Sequence, residues 1–371
     1  MTSIYRLLVL IVATGLIAGC VTTGTVDRAA IAGARRPAWS LDGADDNMVV
    51  AMSPARRTLQ IAGSAGTLIG AGIAAVSNSR YRRDIESVLA GYDGGAVMEG
   101  ILKERLSETF GPDLGRVAAP RNVVGQKDRN EAVKERFRAL RNQGFDQILD
   151  LDITYGLFGY DGTLVAKIDG HMYAVEGRKT IWNNRLVVFS SPVLASDRLI
   201  DPTKRALPDL GSPRLSIEEN AIEQWTNDGG VLFRERFEAA ARGAASAMLV
   251  DMGLAEEPEG AYYLGKQLMN QKKFAEADTR FRQALAIRPD YTDARNGLAV
   301  NTAHAGDIDG AIALTEALAS DAPEYAPAHY NLAWWYAEEK GDLDSARPHY
   351  EQARELGLPG DEDLEKALGL R

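Results

Sequence analysis

The last third of the chain repeats itself with a period of 34 residues, and that period limits the possible folds more than any other feature. Leu264-Gly265, Leu298-Ala299 and Leu332-Ala333 recur at the interval, as do Ala277 with Ala311 and Pro289 with Pro323. In a third copy Ala346, Tyr350 and Ala353 match Ala277, Phe281 and Ala284 after one inserted residue in the turn Glu338-Glu339-Lys340-Gly341-Asp342, and Pro359 closes it one residue later still. Small residues at Gly265, Ala277 and Ala284 let paired helices approach, Phe281 and Tyr350 fill the space between units, and proline stops the second helix. Residues 258–371 are therefore expected to form an α-solenoid of three helix pairs.

The pattern resembles the tetratricopeptide repeat, which asks for a Leu and a small residue in a first helix, then Ala, a large aromatic and Ala in a second, closed by Pro. Tyr263 to Pro289 fits nearly every position; Thr315 and Leu318 in the second copy depart from it. The resemblance implies a curved stack with a concave groove lined by outward positions of the first helices: Tyr262, Lys266, Asn270, Asn296, Val300, His304, Tyr330 and Trp334. Such a groove holds a peptide or helix. Tyr262, Tyr330 and Trp334 are the expected aromatic anchors, because buried aromatics dominate interface energetics. The set does not match the two-Lys clamp that some members use for C-terminal carboxylates.

At the other end of the chain, Arg6 precedes an apolar run from Leu7 to Leu16, too short to be a committed membrane span, and then Leu16-Ile17-Ala18-Gly19-Cys20. Small residues before a cysteine suit a signal peptidase, and the thiol can carry a thioether-linked lipid. The segment resembles the lipobox of bacterial lipoproteins, which implies a signal peptide over 1–19 and lipidation of Cys20. Cys20 is the only cysteine in 371 residues, so no internal disulfide can form. Val21 after the cysteine resembles the outer-membrane sorting signal, so the expected address is the periplasmic face of the outer membrane. Residues 20–46, rich in Thr, Gly, Ala and Arg, read as a lipidated tether.

Residues 47–253 read as a small α/β domain, giving an α+β chain overall. Asn47 to Met52 is a short buried strand; helices are expected from Val97 to Phe110 and from Arg129 to Asn142, with a short strand at Arg116 to Ala119 between them. Gln147 to Phe158, Leu164 to Val175 and Lys179 to Ser190 follow, separated by glycine-bearing turns, and are expected to form an antiparallel meander. Ser216-Ile217-Glu218-Glu219 has capping-box spacing and opens a helix through Trp225; another runs from about Gly229 to Met252. This order, with Gly177-Arg178-Lys179-Thr180-Ile181-Trp182 near the last strand, resembles the α/β domain of envelope lipoproteins of the curli-secretion and penicillin-binding-protein-activator types. Trp182 and Trp225 are expected as core anchors. The charge-free segment 59–76, with Gly66-x-x-x-Gly70, reads either as a glycine-rich piece packed on protein or as a membrane-contacting, oligomer-forming one.

The formal net charge is -10, and residues 258–371 hold 12 Lys/Arg against 20 Asp/Glu, a surface unsuited to nucleic acid. His171, His304, His329 and His349 form no metal-ligand spacing, and His329 and His349 are expected as solvated helix positions. Nucleophile-elbow, phosphate-loop and dinucleotide motifs are lacking, so neither catalysis nor a cofactor is expected. The expectation is an adaptor that recruits envelope proteins or peptides through its groove. The alternatives are a structural subunit of a secretion, pilus or polysaccharide-export complex, as a homo-oligomer, or a regulator of a peptidoglycan synthase or hydrolase.

Overall fold

Three strands make the body of a sheet: β4 (Gln147–Phe158), β5 (Thr163–Ala174) and β6 (Thr180–Phe189), each antiparallel to the next. Along β5, Leu164, Ala166 and Ile168 are buried while Val165 and Lys167 between them are partly exposed, the period-two pattern of a strand with one face on a core. The turn into β6 uses positive φ at Gly177 (72°) and Arg178 (55°). The computed structural model describes residues 26–43, 49–50, 83–85, 87–120, 126–158, 163–190, 193–195, 223 and 225–371. Cys20, the signal sequence, the apolar segment 59–76 and most of the helix expected from Ser216 lie outside them.

The sheet as a whole is mixed, because parallel strands extend the antiparallel run of β4, β5 and β6. β1 (Pro37–Asp42) pairs parallel with β4 on one side and with β3 (Gly115–Arg116) on the other, and β2 (Val49–Val50) pairs parallel with β4 beyond β1. The strand order is β3-β1-β4-β5-β6. The expected tether therefore stops short of residue 46. α1 (Arg28–Ala32) opens on Asp27, whose carboxylate accepts the Ala30 N–H, and β1 follows. Pro37 to Leu41 are all buried, so this strand has a core on both faces and no polar alternation to announce it.

Helices cover both faces. α2 (Gly94–Phe110), capped by Asp93, and α4 (Val231–Met252) lie on one. α3 (Gln126–Asn142) lies on the other, where Phe137 and Leu140 pack on Ala38, Ile148 and Val175. Trp182 is fully buried as expected, and its indole N–H donates to Asp251 on α4 at 2.9 Å; the Asn184 amide donates to the same oxygen. Trp225 packs edge-on against Phe233 at the margin of this core.

Gly253, in the left-handed region at φ 76°, ends α4, and the repeats begin with α5 (Pro258–Asn270) and α6 (Phe274–Ile287). Then come α7 (Thr292–His304), α8 (Ile308–Asp321), α9 (Ala326–Trp334), α10 (Leu343–Glu355) and a short closing helix, α11 (Glu362–Ala367). α4 also packs on α5, closely enough that a Cβ on Gly243 would come within 2.3 Å of the Tyr263 ring. One apolar core consequently runs from the sheet through α4 into the repeats. Between repeats, the Phe281 ring is fully buried, and a Cβ on Gly265 or Gly297 would meet it at 2.8 or 2.6 Å. Thr315, in the aromatic position of the second copy, is buried with its hydroxyl donating to the Ala311 carbonyl. The extra residue of the third copy is absorbed before the turn, as a π-helical segment at Trp335–Glu339 in which the Lys340 N–H reaches the Trp335 carbonyl.

Candidate peptide-binding groove

The first-helix positions expected to line the groove are largely covered. Tyr262, Lys266, Asn270, Asn296, Val300 and Tyr330 are buried, and His304 and Trp334 are half-buried. Part of the cover is the chain itself: Phe189 at the end of β6 lies on Lys266, and Val193–Ala195 beyond it lie on Asn296, Asn331 and the cluster of Tyr330.

An edge strand exposes unpaired N–H and C=O groups that must be satisfied or shielded. Here the Gln267 side chain does this for β6: its amide donates to the Arg185 carbonyl at 2.8 Å and its oxygen accepts the Val187 N–H at 3.0 Å. One helix along, Asn296 donates to the Val193 carbonyl at 2.7 Å. On the next first helix, Asn331 donates to the same carbonyl at 3.3 Å and to the Asn296 oxygen at 2.8 Å, and accepts the Ala195 N–H at 2.6 Å. Each of the three repeats thus supplies one carboxamide that binds main chain. Carboxamides suit the task because each carries both donor and acceptor without the desolvation cost of a charge.

The predicted aromatic anchors do not form one patch. Tyr262 packs against Tyr263, Phe281 and Tyr291 with ring centres 5.0, 6.2 and 5.3 Å away, and burial pushes its phenol well above the usual pKa. Tyr330 sits in a separate cluster beneath α11 and donates its hydroxyl to Asp361. Trp334 touches both clusters. The buried Lys266 ammonium lies 4.2 Å from the centre of the Phe189 ring of β6 and 5.5 Å from that of Tyr262, a cation–π arrangement that fixes the strand end to the groove.

Farther along the same helices, the Asn270 amide nitrogen, the Asn301 carboxamide oxygen and His304 Nε2 are buried without a hydrogen-bond partner among the described residues. His304 stacks on Phe274 with ring centres 6.3 Å apart, and burial lowers its pKa.

Gln267, Asn331 and Val193–Ala195 were not among the residues expected from sequence. The three carboxamides stand 29 and 35 residues apart, off the 34-residue period, so self-comparison hides them. Only an alternation of amide residues on successive first helices would have hinted at a main-chain reader.

His329 and His349 are not solvated as expected. Their Nδ1 atoms lie 3.2 Å apart, with His329 Nε2 at 2.9 Å from the Pro323 carbonyl. A nitrogen facing a carbonyl carries a proton, so in the neutral ring His329 Nδ1 accepts and His349 Nδ1 donates. Burial, then the neighbouring His329, hold the His349 pKa below its usual value, opposed by Glu316. Among the described residues no three His, Cys, Asp or Glu side chains are grouped to hold a metal, and no helix is long and apolar enough to cross a membrane.

A family model described as tetratricopeptide repeat matches residues 268–333, from the end of α5 to the end of α9. No curated protein matches the chain. The chain therefore contains tetratricopeptide repeats, a type of helical scaffold used for protein–protein interaction.

Proposed function

We propose that the chain is a non-catalytic adaptor, held by lipid on Cys20 at the periplasmic face of the outer membrane, that recruits or assembles envelope proteins through its repeat groove. The observation that carries this reading is the row of carboxamides: Gln267, Asn296 and Asn331 bind the N–H and C=O groups of an extended chain, the chemistry by which a groove holds a peptide. Support for the address comes from Leu16-Ile17-Ala18-Gly19-Cys20 at the end of the apolar run.

A photo-crosslinking side chain placed at the half-buried Trp334 position of the full-length protein in living cells tests the role. The reading expects a discrete adduct with another envelope protein, and Cys20→Ala to move the protein out of the membrane fraction. Adducts of the chain with itself alone would contradict the adaptor reading.

A further inference from the structure

The groove is already engaged by a segment of its own chain, and the terms of that engagement describe what else it accepts. In an extended chain the carbonyl of one residue and the N–H of the residue two positions on point to the same edge. Those are the two groups held here: the Val193 carbonyl by Asn296 and Asn331, and the Ala195 N–H by Asn331. The Val193 side chain is 2% exposed and inserted in the main core, while Leu194 rests on the smaller cluster that contains Tyr330. Nothing in these contacts depends on the segment being covalently part of the molecule.

We infer that Val193-Leu194-Ala195 is a built-in stand-in for the groove's partner, and that the partner is an extended peptide bearing a branched apolar residue followed two positions later by a small one. This rests on the adaptor reading of the groove and adds the chemistry of the ligand and its control. A segment held in cis competes at an effective concentration on the order of millimolar, so a partner in trans must bring contacts the stand-in lacks. The groove offers them. Asn270 and His304 occupy the same position in successive repeats, and each has a buried nitrogen without a partner among the described residues. A longer peptide supplying a carbonyl to the Asn270 amide removes a buried unsatisfied donor, which displacement of three residues alone does not do.

Fluorescence anisotropy with a labelled heptapeptide Ser-Pro-Val-Leu-Ala-Ser-Asp, the sequence of residues 191–197, tests the inference on the purified full chain. Ala195→Pro deletes the N–H that Asn331 accepts and frees the groove. The variant is expected to bind the peptide at least about tenfold more tightly than the unmodified chain, the factor worth about 1.4 kcal/mol. Adding Asn296→Ala and Asn331→Ala abolishes that binding, and so does aspartate at the valine position of the peptide. A folded Ala195→Pro chain that does not bind, or binding indifferent to the two asparagines, overturns the inference, as does a dimer in which a second copy fills the groove. Should the variant fail to fold, saturating peptide added to the unmodified chain must speed amide exchange at Ala195; unchanged exchange overturns the inference. A partner captured in cells at position 334 with no peptide bound by the opened chain leaves the adaptor reading standing and removes only this one.

Discussion

Asn331 donates its amide to the Asn296 oxygen at 2.8 Å while its own oxygen accepts the Ala195 N–H at 2.6 Å, so the two asparagines form one clamp on Val193–Ala195. Both are completely buried, which makes the clamp structural for this chain as well as suited to a peptide. Asn331→Ala would strand the Ala195 N–H and the Asn296 oxygen together. The expected loss is about 2–4 kcal/mol, since each stranded buried group costs about 1–3 kcal/mol; urea unfolding measures it.

The contact of Gly297 with Phe281 sets how closely successive repeats approach. Gly297→Ala places a Cβ 2.6 Å from a fully buried ring that cannot retreat. A destabilisation of about 1–3 kcal/mol is expected from overpacking. Phe281→Leu combined with it should cost less than the sum of the two single changes, because the smaller side chain makes room; a double-mutant cycle gives the coupling.

Asp251 holds β6 to α4 by accepting from both Trp182 and Asn184. Asp251→Ala leaves the buried Trp182 donor and the half-buried Asn184 donor facing a gap, and the thermal midpoint should fall by several degrees, roughly 2–4 °C per kcal/mol in a chain of this size. Asp251→Asn, which keeps one acceptor oxygen, is expected to fall between the two.

How much of this was legible in the sequence depends on whether a neighbour in space was also a neighbour in pattern. Leu264-Gly265, Ala277, Phe281 and Ala284 announce their packing because each repeat meets a copy of itself. β4, β5 and β6 announce themselves because consecutive strands pair through short turns. β1 does not: parallel partners on each side and a core on both faces leave Pro37-Ala38-Trp39-Ser40-Leu41 without alternation, so it resembles the tether around it. Helical spacing groups the groove positions on one face, but it cannot say what covers that face. The cover, Val193–Ala195, lies 103 residues before Asn296 and 138 before Asn331 for its shared carbonyl, and no local pattern encodes such a meeting.

Acid should weaken the fold through two half-buried histidines. Burial holds His304 and His349 below the usual value of 6.5, so the unfolded chain takes up protons at a higher pH than the folded one. Their contribution is fully present above 6.5 and is lost as pH falls from there through the folded values. The thermal midpoint is expected to drop between about pH 7.5 and about pH 5.5, and His349→Asn should flatten that slope by removing one of the two groups. A midpoint that rises on acidification over this range contradicts the assignment.

The most direct measurement is amide exchange at Ala195, the N–H that Asn331 accepts. Slow exchange in the unmodified chain, accelerated specifically at this segment by Asn331→Ala while β4 and β5 stay protected, is the predicted result. Exchange at the rate of an unprotected amide in both chains would mean that the groove does not grip main chain, and would contradict the account.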